Sequence, residues 1–137
     1  MKEIFVLKEG GRNNHIESPK DLFKQTKEIK IDHYQENCII FYLDTRNNII
    51  DYEILFKGGV SCCAIDPKNI FRNVLLKKAS NIAIAHNHPS GNLEPSNEDV
   101  RIFKQLRKAG DILHITILDF LIFNEKEFYS VKCYERG

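Results

Sequence analysis

The stretch that constrains this chain most runs from Asn81 to Asp99. Asn81 to Ala85 reads Asn-Ile-Ala-Ile-Ala, a short apolar strand, and it leads without a break into His86. On extended chain, residues i and i+2 project to the same side, so His86 and His88 can reach one ion. Pro89-Ser90-Gly91 then breaks the strand, and Ser96 starts a helix whose first turn carries Asp99. A carboxylate there can fold back over the strand end as a third ligand. Two histidines and one carboxylate leave a fourth tetrahedral position for water, which is the arrangement of a catalytic zinc rather than of a closed structural site. Zinc lowers the pKa of such a water toward ~7. Plainer descriptions cover the pieces one at a time. Ser96 with Asp99 three residues later fits a helix capping box, and a His-x-His pair on a solvent-facing strand end needs no metal. The combination is more restrictive: same-face histidines, a turn and an acid on the next helix, directly after an apolar strand.

The rest of the chain supplies strands and helices in alternation. Gly10 to Asn14 reads as a turn after a short first strand, and Ser18-Pro19 as a helix start with serine capping and proline at the first helical position. Asn37 to Thr45 is an apolar run, Arg46-Asn47-Asn48 a turn, and Ile49 to Phe56 the returning strand of a hairpin. A short strand from Val60 to Ile65 is expected next. Asp66-Pro67 then starts a helix to about Ala79 with Ile70, Phe71, Val74 and Leu75 as its core face. The helix capped by Ser96 is expected over Asn97–Ala109, stopped by Gly110. One or two strands follow from Ile112 to Phe123, and a last one from Phe128 to Val131. At 137 residues the expectation is a single-domain layered α/β fold, a mixed β-sheet flanked by helices, the mixture coming from the early hairpin.

Charge and cysteines narrow the function classes. The formal net charge is +1, so the strongly basic stripe of a duplex binder is missing. Lys77–Lys78 and Arg101–Lys104–Arg107–Lys108 read as solvated helix faces. Neither a signal peptide nor the ~18 apolar residues of a membrane span can be read in the sequence, and the expected location is cytoplasmic. Cys38 and Cys133 lie in apolar runs and read as buried free thiols. Cys62 and Cys63 fit alternating faces of a strand. No Cys-x-x-Cys pair supports a zinc ribbon. The His-x-Glu and Pro-Cys-x-x-Cys strings of nucleobase deaminases do not occur.

His-x-His, seven residues, serine, two residues, aspartate resembles the JAMM signature of JAB/MPN metalloproteins. The longer string from His86 through Gly91, with Glu94-Pro95-Ser96-Asn97-Glu98-Asp99, is similar to the RadC-like branch. The likeness extends from about Ser18 to Ser130 and includes Tyr34-Gln35-Glu36, Leu43-Asp44-Thr45, Phe56-Lys57-Gly58 and Leu118-Asp119. It implies a JAB/MPN (cytidine-deaminase-like) architecture and one zinc ion per chain held by His86, His88 and Asp99. It also implies that Ser96 serves the metal water or a developing oxyanion, and that Glu53 is the upstream glutamate that takes and returns the water proton. Glu36 is a rival for that last role. The chain departs from the family at Phe120, where a histidine usually follows Leu-Asp, and His114 is a candidate stand-in. It departs again at Gly58-Gly59-Val60-Ser61 and at Pro67-Lys68-Asn69. The N-terminal helix-hairpin-helix region of full-length RadC proteins has no counterpart here. The implied function is a zinc-dependent metallopeptidase or isopeptidase acting on a protein or peptide. The alternative is an accessory domain associated with DNA repair or mobile elements, its zinc structural or vestigial.

Overall fold

The computed structural model describes residues 14–57 and 65–132. Their elements run α1 (Pro19–Lys27), β1 (Asn37–Leu43), β2 (Ile49–Lys57), α2 (Pro67–Leu76), β3 (Asn81–Asn87), α3 (Asn97–Leu113), β4 (Thr116–Phe123) and β5 (Phe128–Ser130). They form one five-stranded sheet in the order β2-β1-β3-β4-β5. β3 and β4 pair parallel across the α3 crossover, and every other pairing is antiparallel. The sheet is mixed and the fold is a layered α/β domain, as the sequence implied.

Both faces of the sheet are covered, which is why β1 is buried along its whole length. On one face Cys38, Ile40, Tyr42, Ile82, Ile84, Phe120 and Ile122 pack against Ile70, Phe71 and Val74 of α2 and Ile102, Phe103 and Leu106 of α3. On the other, Ile39, Phe41, Leu43, Ala83, Ala85, Leu121 and Phe123 meet Leu22 and Phe23 of α1. The small residues of β3, Ala83 and Ala85, lie on the α1 face, and Ile82 and Ile84 on the face of α2 and α3. This two-sided burial fixes register, since a slip by one residue would send His86 to the opposite face.

Several boundaries differ from the sequence expectation. α3 continues through Gly110 to Leu113, and its left-handed cap is His114 at φ 60°. Gly110 does not stop the helix. A Cβ there would run into the carbonyl oxygen of Ile115, whose N–H donates to the Gly110 carbonyl at 2.8 Å. Glycine is thus needed for the close approach of the returning chain. His114 is an exposed cap residue and takes no part in the site. Ile112 and Leu113 belong to the helix rather than to a strand. α2 ends at Leu76, where Lys78 turns left-handed at φ 57°, and Leu75 lies on its solvent side, 66% exposed. β1 stops at Leu43 and β5 at Ser130. The expected first strand, the strand from Val60, Cys62, Cys63 and Cys133 lie outside the described residues. Cys38 is a buried free thiol.

Candidate metal centre

The site is assembled where β1, β3 and α3 meet at one end of the sheet. His86 and Asn87 are the last residues of β3, paired with Cys38 and Asn37 at the start of β1. Glu36 therefore stands just before β1, level with the end of the histidine strand. Asp99 comes from the first turn of α3, where its side chain accepts the Ser96 N–H at 2.9 Å and its own N–H donates to Ser96 Oγ at 3.0 Å. The capping box is real, and it carries Asp99 into the site.

His86, His88 and Asp99 each offer a ligand atom, all within 4.8 Å of one another. His88 Nε2 lies 3.1 Å from Asp99 Oδ2, and His86 Nδ1 lies 3.5 Å from Asp99 Oδ1. The opposite nitrogen of His86, Nε2, is 2.8 Å from Glu36 Oε2. The two imidazoles stand edge to face, with centroids 4.9 Å apart. The side chains of His86 and Asp99 are fully buried, whereas His88 and Glu36 keep 17% and 22% of theirs exposed. The centre thus opens toward solvent on the His88 and Glu36 side. A cleft of about 170 Å³ adjoins His88, lined also by His33, Tyr34, Asn87, Gly91 and Asn124.

The protons decide what this cluster can hold. His88 Nδ1 is 2.8 Å from the Asn92 carbonyl, an acceptor only, so Nδ1 carries the proton and donates. The lone pair of Nε2 in neutral imidazole then faces a carboxylate oxygen. Such a contact needs a cation, either a second proton or a metal ion, between the two atoms. The Asp99 carboxylate raises the His88 pKa above its usual value, with burial opposing. At His86 both ring nitrogens face carboxylates, and a neutral imidazole has only one N–H to give. Two imidazoles and the Asp99 carboxylate, with ligand atoms all within 4.8 Å of one another, form a donor set of the right chemistry for a divalent ion, and Glu36 stands at the other nitrogen of His86. The Asn92 carbonyl fixes the tautomer that leaves Nε2 for the ion, the usual outer support of a metal-ligating histidine. Behind His86 sits the buried ring of Phe120, centroids 6.4 Å apart, which in turn packs edge to face on Phe103. At this position the chain supplies an apolar wall and no further donor.

The structure does not bring Glu53 to this cluster. Glu53 pairs with Ile40, two residues further along β1 than the partner of His86. Its Oε1 accepts from Tyr42 Oη at 2.6 Å and from Asn73 Nδ2 at 3.3 Å, and Lys77 lies 4.0 Å from Oε2. Burial, with the Glu53 contact second, pushes the Tyr42 phenol up. Glu53 belongs to a polar network over α2, and the carboxylate at the histidines is Glu36. Ser96 is exposed at the α3 N-terminus, its Oγ accepting as the cap and its own proton left to donate. Sequence reasoning missed Asn37, Asn87 and Asn92. Only the pairing of β1 with β3 and the path of the 91–95 loop give them their roles, and no local pattern signals either.

The family model described as RadC-like JAB domain matches residues 16–136. A UPF0758 protein of Shouchella clausii is 37% identical over 122 residues, covering 89% of this chain and 52% of the relative. One from Aquifex aeolicus is 36% identical over 133 residues, 96% of this chain and 57% of the relative. A third, from Clostridium perfringens, is 40% identical over 98 residues, 72% of this chain and 43% of the relative. The chain thus spans about half the length of the curated relatives it matches, and their printed names specify no activity.

Proposed function

The chain belongs to the RadC-like JAB domain family, and from that premise we propose that it is a zinc-dependent hydrolase of amide or isopeptide bonds in a protein or peptide. The observation that carries this reading is His86, fully buried with a carboxylate oxygen at each ring nitrogen, beside His88, whose Nε2 faces Asp99. His86, His88 and Asp99 would hold the ion. When bound, zinc would supply a Lewis acid and a water of lowered pKa.

The chain's own residues do the remainder. Glu36 sits at the partly open side of the centre, placed to take a proton from attacking water and return it to the leaving amine. This role falls to Glu36 rather than Glu53 because only Glu36 reaches the histidines. Ser96 Oγ, fixed by the cap, presents an O–H for a developing oxyanion. The Asn92 carbonyl holds His88 in one tautomer, and Phe120 keeps water away from the back of His86. Among the described residues no helix is long and apolar enough to cross a membrane. With the free thiol of Cys38, this fits action in the cytoplasm.

The direct test is elemental analysis of the purified protein beside His88→Ala and Asp99→Ala. About one zinc per chain, lost in both variants, is expected, followed by zinc-dependent peptidase activity that Glu36→Gln abolishes and Glu53→Gln retains. A wild-type protein that takes up no zinc after reconstitution would sink the hydrolase reading.

A further inference from the structure

We infer that Asn87, the residue between the two histidines, is a positioning residue that holds the Glu36 carboxylate on His86. The inference rests on reading His86, His88 and Asp99 as a metal centre, and it assigns to Asn87 a job that no ligand performs.

Asn87 is 1% exposed, and strand alternation turns its side chain away from the direction of its histidine neighbours. Each polar atom of its amide is used on the segment that carries Glu36. Oδ1 accepts the Asn37 backbone N–H at 2.7 Å and Asn37 Nδ2 at 3.2 Å. Nδ2 donates to the Gln35 carbonyl at 2.9 Å. Asn37 Nδ2 closes the same turn by donating to the carbonyls of Asp32 and Gln35, both at 3.0 Å. The two residues flanking Glu36 are therefore tied to the one residue flanked by the histidines. Glu36 itself lies outside the regular ladder, so the sheet alone does not aim it. The Asn87 clamp makes the distance between proton acceptor and ligand a property of one rigid unit.

The chemistry asks for an amide at position 87. The side chain must accept from two N–H groups and donate to a carbonyl, and among residues of this size only asparagine does both. Aspartate keeps the two accepted bonds but sets a carboxylate oxygen against the Gln35 carbonyl. Alanine takes away the side-chain acceptor of the Asn37 N–H and one of the two donors to the Gln35 carbonyl.

The test uses the full chain loaded with cobalt(II), a spectroscopic stand-in for zinc, in wild type, Asn87→Ala, Asn87→Asp, Glu36→Gln and the Asn87→Ala/Glu36→Gln double variant. Cobalt stoichiometry is read first, then the pH midpoint of the visible cobalt spectrum. The expected result is about one cobalt per chain in every variant. The midpoint should shift by about one unit in Asn87→Ala, in the direction that Glu36→Gln produces, because each removes or displaces the same neighbouring charge, whereas Asn87→Asp adds a carboxylate of its own and is read for cobalt stoichiometry. In the double variant Asn87→Ala should add nothing to Glu36→Gln. An unmoved midpoint in Asn87→Ala, an added shift in the double variant, or loss of cobalt uptake in Asn87→Asp would each overturn the inference. If Asn87→Ala fails to fold, Asn87→Ser, which adds no charge and cannot span both bonding partners of the amide, takes its place with the same expected shift and the same refuting result. A wild type that binds no cobalt overturns the metal-centre reading and this inference with it. A wild type that binds cobalt while Asn87→Ala behaves like it overturns the inference alone.

Discussion

Asp99 is both a helix cap and a member of the candidate metal centre, and thermal unfolding with and without zinc separates the two roles. Zinc at a hundredfold excess over its dissociation constant stabilises a protein that binds it only when folded by about 2.7 kcal/mol. For a chain of this length roughly 1 kcal/mol moves the midpoint by about 3–4 °C, so the wild type should gain about 8–11 °C. Ser96→Ala removes the acceptor of the Asp99 N–H at the α3 N-terminus, a loss of about 1 kcal/mol. Its midpoint should fall by about 3 °C in both conditions, with the zinc increment intact. Asp99→Asn keeps an oxygen for the Ser96 N–H but gives up the carboxylate that holds the His88 pKa up, so the metal-free protein should lose stability at pH below the raised His88 pKa and stay close to wild type above it. It replaces a carboxylate ligand by a neutral amide, so the zinc increment should disappear. A full zinc increment in Asp99→Asn would refute the ligand assignment and leave Asp99 as a cap. Loss of the increment in Ser96→Ala to the same extent would mean that cap and site cannot be separated in the way the hydrogen bonds indicate.

Further perturbations test other parts of the molecule. Gly110→Ala should destabilise by about 1–3 kcal/mol in urea unfolding although alanine is the better helix former, because its Cβ meets the Ile115 carbonyl oxygen; a gain in stability would show that this approach is easily relaxed. Burial raises the pKa of Asp119 above 3.8, with the Ser130 hydroxyl and the Phe120 N–H opposing. Its folded pKa then exceeds its unfolded one, so its contribution is full below the unfolded value and is lost as pH rises through the folded value. Asp119→Asn should thus match or exceed wild type at pH ~7 and lose that advantage as pH falls toward ~4; an advantage that grows on acidification would contradict the direction. Phe120→Ala should cost about 3–5 kcal/mol, because the ring is fully buried against Phe103 and His86, and denaturant titration measures it. Glu53→Gln should leave the zinc increment unchanged, since the Glu53 contacts run to Tyr42, Asn73 and Lys77; a lost increment would reconnect that network to the centre.

The histidines and Asp99 were legible in sequence because their geometry is local. The strand period sets His86 beside His88, and a loop of fixed length returns Asp99 to them. The mixed sheet followed from a hairpin set among helices. Glu36 was not assignable in the same way, because its place depends on which strand lies next to β3. β1 has β2 on one side and β3 on the other, so a sequence pattern that pairs β1 with β2 in a hairpin leaves two candidate carboxylates, one near the start of β1 and one on β2. Only the Asn37–Asn87 pairing selects Glu36. Gly110 misled for a comparable reason: glycine serves both left-handed caps and close approaches, and the Ile115 chain that approaches it comes from beyond the helix. Leu75 is apolar at a helical spacing that fits a core face, yet α2 meets the sheet through Ile70, Phe71 and Val74 alone.

The two descriptions of the Ser96–Asp99 stretch, a capping box and a ligand-bearing turn, are one device. A capping box fixes the rotamer of its acidic member by hydrogen bonding it back to the cap backbone. Here that bond uses Asp99 Oδ2, which also faces His88, while Oδ1 faces His86. The helix end therefore aims the carboxylate before any ion arrives. Asn92 sets the tautomer of His88 and Asn87 ties the Glu36 segment to the histidine strand, again through backbone groups of neighbouring loops. Each group at the centre is thus oriented by a hydrogen bond that exists without the metal. A centre preformed in this way should lose little conformational entropy on binding, so ion affinity should track the identity of the ligands rather than the stability of the surrounding fold. Comparing zinc affinity in Gly110→Ala, destabilised far from the centre, with that in Asp99→Asn tests this directly. The first should bind zinc as wild type does whenever it is folded, and the second should not.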